Sequence, residues 1–329
     1  MIHPIPPGSR DVLPGEMREL RRLNRALIEV FEERGYGEVA TPTIEYDEVM
    51  ARGDGRASGA YRFFDESGEL LALRSDMTVP IARLVASRFA DAEMPLRLCY
   101  LASTFRAVTP QRGQLREVVQ AGIELIGAPA SEGTAEVVEV LEAALDAAGL
   151  DRAVIGLGDS DLYRQLLAEY GLEAGAQDAI LARLARHDLV GLEVELGEAG
   201  IGEEQVATCV GLSQLRGGAE VLEQARELGG GAVERAIARL GETYAALEAR
   251  GVAERVRIDM GLLRDLGYYS GAILEVYDPA LGYVLGGGGR YDRLMHNFGL
   301  DLPAAGFGLY VERVHLAQME EQRRARGET

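Results

Sequence analysis

The sequence contains no lysine: its 34 basic residues are all arginine, set against 53 acidic residues for a net charge of −19 at pH 7 and a pI near 4.7. The missing lysine reflects the genome and says nothing of activity. The shortage of positive charge is informative, because a protein that grips nucleic acid needs a basic face to meet the phosphates. No extended basic run is present, so nucleic acid is disfavoured as a partner. Only two cysteines occur, Cys99 and Cys209, far apart in apolar surroundings, and only four histidines, His3, His187, His296 and His315, all scattered. Neither set has ligand or disulfide spacing, which argues against a metal site, a disulfide or a histidine-based triad. Long apolar runs are missing too. No stretch is long enough to cross a bilayer, and the N-terminus MIHPIPPGSRD lacks the basic-then-apolar order of a secretion signal. A cytoplasmic location with no membrane partner is therefore expected.

What is present is the composition of a soluble globular protein, 47% hydrophobic and 26% charged. At 329 residues the chain exceeds one average domain, which predicts a main domain with an insertion or second lobe. After an extended lead, PPGSRDVLP, apolar residues at Met17, Leu20, Leu23, Leu27, Val30 and Phe31 have the spacing of one helical face, and Gly35 is placed to end that helix. GYGEVATPTIEY follows as a β-rich run whose Pro42 confines it to a sheet edge or a bulge. YRFFDESGELLALR reads as a hairpin turning at Ser67-Gly68. Residues 74–80 then lead into a helix, where Asp76 or Thr78 serves as an N-cap and Pro80 suits the first turn. A strand over 96–106, a helix over 132–148 and a short strand over 153–157 come next. From about 160 to 250 helical periodicity dominates, with Glu and Arg at i, i+4 on solvated faces and no functional motif. Strands resume at 256–259, 262–269 and 271–277. The expected organisation is a core in two parts, 1–157 and 251–329, around a helical insertion at 158–250.

The most informative stretch is FRAVTPQRGQLREVVQAGIELIG. Residues 109–113 supply turn chemistry, and the run beyond them alternates. Val119, Ala121, Ile123 and Leu125 take one face of a strand, while Gln120, Gly122 and Glu124 take the other. On pattern alone this is an amphipathic strand with one wet face, and Gly122 leaves a gap where a ligand can approach. Further on, LLRDLGYYSG carries Arg264 and the pair Tyr268-Tyr269, which could straddle a strand with one ring buried and one exposed. LGGGGRYDRL holds a glycine run that lets a ligand come close to backbone. That run does not open the strand-to-helix fingerprint of a dinucleotide site, and no cofactor is expected.

Taken together, these segments resemble the class II aminoacyl-tRNA synthetases in their histidyl-tRNA synthetase form. FRAVTPQRGQLREVVQAGIE resembles motif 2, LLRDLGYYSG and GGGGRYD the two histidine-specific motifs, and AAGFGLYVERV motif 3. The helix, strand and Pro42 near the start resemble motif 1, which builds that family's dimer core. The resemblance implies an α+β fold, an antiparallel sheet flanked by helices. It also implies a pocket for histidine, in which Asp76, Thr78 and Gln120 meet the ammonium, Arg264 the carboxylate, and Glu124 with Tyr269 the imidazole, with Arg106 and Tyr268 alongside. Arg106, Gln114 and Arg313 fall where that family contacts ATP. Two departures stand out. Gln114 replaces an arginine, and a neutral amide cannot supply a charged bidentate fork; Asp265 puts a carboxylate beside Arg264. No anticodon-binding segment follows motif 3.

These losses match a paralogous group that the chain also resembles: regulatory subunits of the short-form ATP phosphoribosyltransferase, the enzyme of the first step of histidine biosynthesis. That resemblance implies a non-catalytic chain that binds L-histidine for feedback. It also implies a homodimeric core and assembly with a short catalytic subunit that carries the active site. The alternative is a minimal histidyl-tRNA synthetase or another histidine-adenylating enzyme.

Overall fold

The computed structural model describes residues 5–54, 59–107, 115–264 and 267–327. Gln114 and Asp265, and most of the turn before β6, lie outside the described residues. The chain opens on helix α1 (Pro14–Glu33), started by a proline whose missing N–H costs nothing in a first turn. Short strands β1 (Gly37–Glu38) and β2 (Ile44–Tyr46), helix α2 (Asp47–Asp54), and the hairpin of β3 (Arg62–Phe64) and β4 (Leu70–Leu73) follow. Helix α3 (Thr78–Arg88), strands β5 (Leu96–Phe105) and β6 (Glu117–Ile126), helix α4 (Ala130–Ala147) and strand β7 (Val154–Asp159) complete the first part. A helical stretch comes next: α5 (Leu162–Glu169), α6 (Ala174–Ala185), α7 (Leu189–Glu198), α8 (Glu203–Gln214), the short β8 (Arg216–Gly217), α9 (Glu220–Leu228) and α10 (Gly231–Arg250). The remainder is β9 (Val256–Asp259), β10 (Ala272–Tyr277), β11 (Val284–Arg290), α11 (Asp292–Asn297), β12 (Ala304–Tyr310) and α12 (Val311–Ala325).

Among the described residues, nine strands form one mixed sheet in the order β1-β5-β6-β12-β11-β10-β7-β9-β8, parallel at β1–β5 and β7–β9 and antiparallel at the other pairings. Strands β2, β4 and β3 form a separate small sheet. The alternation of β6 divides the molecule. Ala121, Ile123 and Leu125 face a core shared with Leu23, Leu27 and Phe31 of α1 and with α4, α10 and α12. Burying each leucine or phenylalanine there contributes roughly 1.5–3 kcal/mol. The opposite face of the sheet carries a second, smaller core built with Met77, Val79 and Val85 around α3, with Leu98 and Tyr100 of β5 and with Tyr268, Tyr269 and Tyr291.

The fold is the expected α+β arrangement, with one correction. Residues 262–269 do not form a strand: among the described ones, 262–264 are irregular and Gly267 and Tyr268 are in a turn. Gly261 and Gly267 bracket the segment, and Gly261 N–H is bonded to the Asp259 side chain at 2.9 Å, which turns the chain out of the sheet. Both tyrosines are consequently buried, at 3% and 7% exposure, with ring centroids 5.0 Å apart, rather than straddling a strand. Pro42 sits between β1 and β2, each of which is an edge strand of its sheet.

Candidate functional site

The inner face of the large sheet is stripped of side chains. In register across six strands, Gly156, Glu275, Gly287, Gly308, Gly122 and Tyr100 form one row, from β7 to β5. The adjacent row reads Gly158, Ile273, Gly289, Gly306, Glu124 and Leu98. The glycines are needed for space. A Cβ on Gly306 would stand 2.0 Å from Glu124 Oε2 and 2.4 Å from a backbone oxygen, and one on Gly122 would meet the Tyr100 hydroxyl at 2.5 Å. Polar side chains therefore lie down over a glycine floor.

Glu124 is at the centre. It is 1% exposed, Thr78 Oγ1 donates to its Oε1 at 2.8 Å, and the Tyr291 hydroxyl donates to its Oε2 at 2.5 Å. Burial raises its pKa to about 8, against the two hydroxyl donors, which favour the carboxylate; nearby Asp76 adds to the rise. Burial likewise holds the hydroxyls of Tyr100, Tyr268 and Tyr291 well above their ordinary range, so each is a neutral donor. Tyr268 packs edge-on to Tyr291 at 6.3 Å between centroids. Asp76, itself buried, caps α3 by accepting from Val79 N–H at 2.9 Å. Gln120 is buried on the same face of β6, one row beyond Gly122.

Arg264 reaches over the floor at Gly287, where a Cβ would meet its Nη1 at 1.9 Å. It donates to Leu274 O at 3.3 Å, lies 3.9 Å from Glu275 and stands over the Tyr269 ring at 6.0 Å. Together with Tyr269 it lines a cavity of about 260 Å³ that extends to α5 and α6. Arg106 and Arg313 are elsewhere. They line a cavity of about 380 Å³ with Arg10, Tyr283 and Tyr310, where Arg313 is stacked 4.7 Å from the Tyr310 ring centroid and donates to Val284 O at 2.7 Å. Arg106 donates to Ser75 O at 3.3 Å, beside the turn carrying Asp76.

The structure thus brings Asp76, Thr78, Gln120, Glu124, Tyr268, Tyr269 and Arg264 to one sheet face, and sets Arg106 and Arg313 at a neighbouring cavity. Thr78 is spent on Glu124 rather than left open beside Asp76. Sequence reasoning missed Tyr291 and Tyr100. Tyr291 directly follows the glycine strand and Arg290, so a residue ending a bare strand was its available signal. Tyr100 carried none, because a tyrosine in an apolar strand reads as packing.

A family model described as Histidyl-tRNA synthetase matches residues 8–314. The ATP phosphoribosyltransferase regulatory subunit of Symbiobacterium thermophilum is 43% identical over 321 residues, covering 96% of this chain and 80% of that protein. Its namesake from Moorella thermoacetica is 41% identical over 319 residues, with coverages of 96% and 82%. A crystal structure from Bacillus halodurans, described as an ATP phosphoribosyltransferase regulatory subunit/histidyl-tRNA synthetase, matches with a TM-score of 0.87 at 32% identity, covering 97% of this chain and 84% of that one.

Proposed function

The chain belongs to the histidyl-tRNA synthetase-like family of ATP phosphoribosyltransferase regulatory subunits, and from that premise we propose that it binds L-histidine as a feedback signal while the transferase chemistry lies on a partner catalytic chain. One observation carries the ligand: a buried carboxyl group, Glu124, fixed by two hydroxyl donors above a glycine floor. Such a group suits an imidazole. A site that must hydrogen-bond a ring nitrogen rejects apolar amino acids of similar size by large factors, because they leave it unpaired. In this reading Asp76 and Gln120 meet the ammonium and Arg264 the carboxylate. Tyr268 and Tyr269 wall the ring, and binding requires Thr78 or Tyr291 to share Glu124. Inhibition follows if histidine binds one state of the assembly better than another, since equal affinity for both shifts nothing.

We propose that the homodimer expected of the motif 1 helix and strand, α1 and β2, extends over the small sheet to which β2 belongs. Ile44, Tyr46 and Phe63 lie on its outer face in register with Leu71 and Leu73, and these three are 45%, 50% and 38% exposed. A contiguous apolar face of that kind marks an interaction surface. The sensor reading is tested by calorimetric titration with L-histidine, run beside ATP–pyrophosphate exchange. Saturable heat without exchange supports a sensor. Robust exchange favours the adenylating alternative, and no heat at all removes both.

A further inference from the structure

The helical segment carries no motif, yet it supplies a wall of the cavity that reaches Arg264 and Tyr269. Arg164 of α5 and Asp178 of α6 line that cavity together with Arg293 and Ser160. The guanidinium groups differ in how firmly they are held. Arg293 donates to Asp161 at 2.8 Å and also to Tyr269 O. Arg264 is largely buried against Leu274 O and Glu275. Arg164 is held by Asp178 at 3.3 Å, a pair whose side chains are 48% and 69% exposed, and an ion pair so exposed contributes little. The hydroxyl of Ser160 is buried on the same cavity without a hydrogen-bond partner, which in a native interior calls for an explanation.

We infer that Arg164 is a ligand-binding residue, which leaves Asp178 to take the ligand's carboxylate jointly with Arg264. A carboxylate entering between two guanidinium groups makes charge-assisted bonds stronger than the exposed pair it replaces, and Ser160 Oγ is available as a further donor. Helix α5 stays in place during the exchange, because Leu162, Tyr163, Leu166 and Leu167 bury it in the core beside α10. Helix α6 loses the tether at Asp178. The helix itself stays packed through Ile180 and Leu184, so the motif-free segment contributes a ligand contact without moving.

This inference rests on the histidine reading, and the test separates the two. L-histidine and histamine, which lacks the carboxylate, are titrated into the wild-type chain and into Arg164→Gln and Asp178→Asn, with thermal melts confirming that both variants fold. Arg164→Gln is expected to weaken L-histidine at least about tenfold and to leave histamine unchanged. Asp178→Asn removes a competitor and is expected to bind L-histidine at least as tightly as wild type. If the wild-type chain binds no histidine, the sensor reading fails and this inference with it. If wild type binds but Arg164→Gln matches it, or weakens histamine equally, or Asp178→Asn binds more weakly, Arg164 is not a ligand contact and only this inference is overturned.

Discussion

Replacing Glu124 by glutamine separates the electrostatic cost of the site from its use. The carboxyl group titrates near 8 in the folded chain against an ordinary 4.5. Because the folded value lies above the unfolded one, the neutral acid is the form that the fold favours. Its stability is fully present below the unfolded value and is lost as pH rises through about 8. At 1.36 kcal/mol for each unit between the two values, full ionisation costs on the order of 5 kcal/mol. A glutamine keeps the shape, accepts from one hydroxyl and donates to the other, and never ionises. In urea titrations of the ligand-free protein, wild type and Glu124→Gln should therefore be close in stability at pH 5. By pH 9 the variant should be the more stable by several kcal/mol. Other titrating groups are common to both proteins and cancel in the difference. A wild-type-minus-variant difference that stays flat from pH 5 to 9 would refute the reasoning, since Glu124 would then be no more costly to ionise than an exposed glutamate.

Further outcomes follow from the same geometry. Histidine affinity should fall as pH rises above about 8, because the site has then lost the proton it shares with the imidazole; calorimetry in buffers of different ionisation heat should detect proton uptake there and almost none near pH 7. Tyr291→Phe leaves Glu124 Oε2 without its donor, a change expected to cost about 1–3 kcal/mol, read as a lower urea midpoint with an unchanged slope. Gly306→Ala drives a methyl group into Glu124 and the backbone of β6; loss of histidine binding together with a lowered melting temperature is expected, and normal binding would show that the floor is not tightly packed. Phe63→Glu on the small sheet should shift the chain toward monomer in light scattering, with histidine affinity kept if the two sites are independent.

How much of this was legible in the sequence depended on whether a residue's role is local. Strand β6 was legible in its two faces, Ala121, Ile123 and Leu125 on one and Gln120 and Glu124 on the other, but the expected wet face is not there: from Gln120 onward both faces are buried, because a second core covers the polar side, and alternation alone cannot show that. Helix α1 was, through Leu20, Leu23, Leu27 and Phe31. Asp76 was legible as a cap because a cap is a contact within a few residues. The described residues of 262–269 were not: their tyrosines and leucines have strand-like propensity, and the flanking glycines and the Asp259 side chain overrode it. Nor were the rows of the floor. G-x-G spacings at 156–158 and 306–308 give the period of a bare face, but only pairing shows that they line up with Gly122 and the run at 286–289. The hydroxyls on Glu124 come from positions 46 and 167 residues away, and no local pattern encodes such meetings.

The most direct test couples site to regulation: the chain and a short ATP phosphoribosyltransferase catalytic chain are co-purified, and transferase activity is measured with and without L-histidine for wild type and Glu124→Ala, which removes the hydrogen-bonding group altogether. The account predicts a stable complex whose activity histidine suppresses in wild type, and an equally active complex that ignores histidine in the variant. Failure of the chains to assemble, or equal suppression in both complexes, would contradict it.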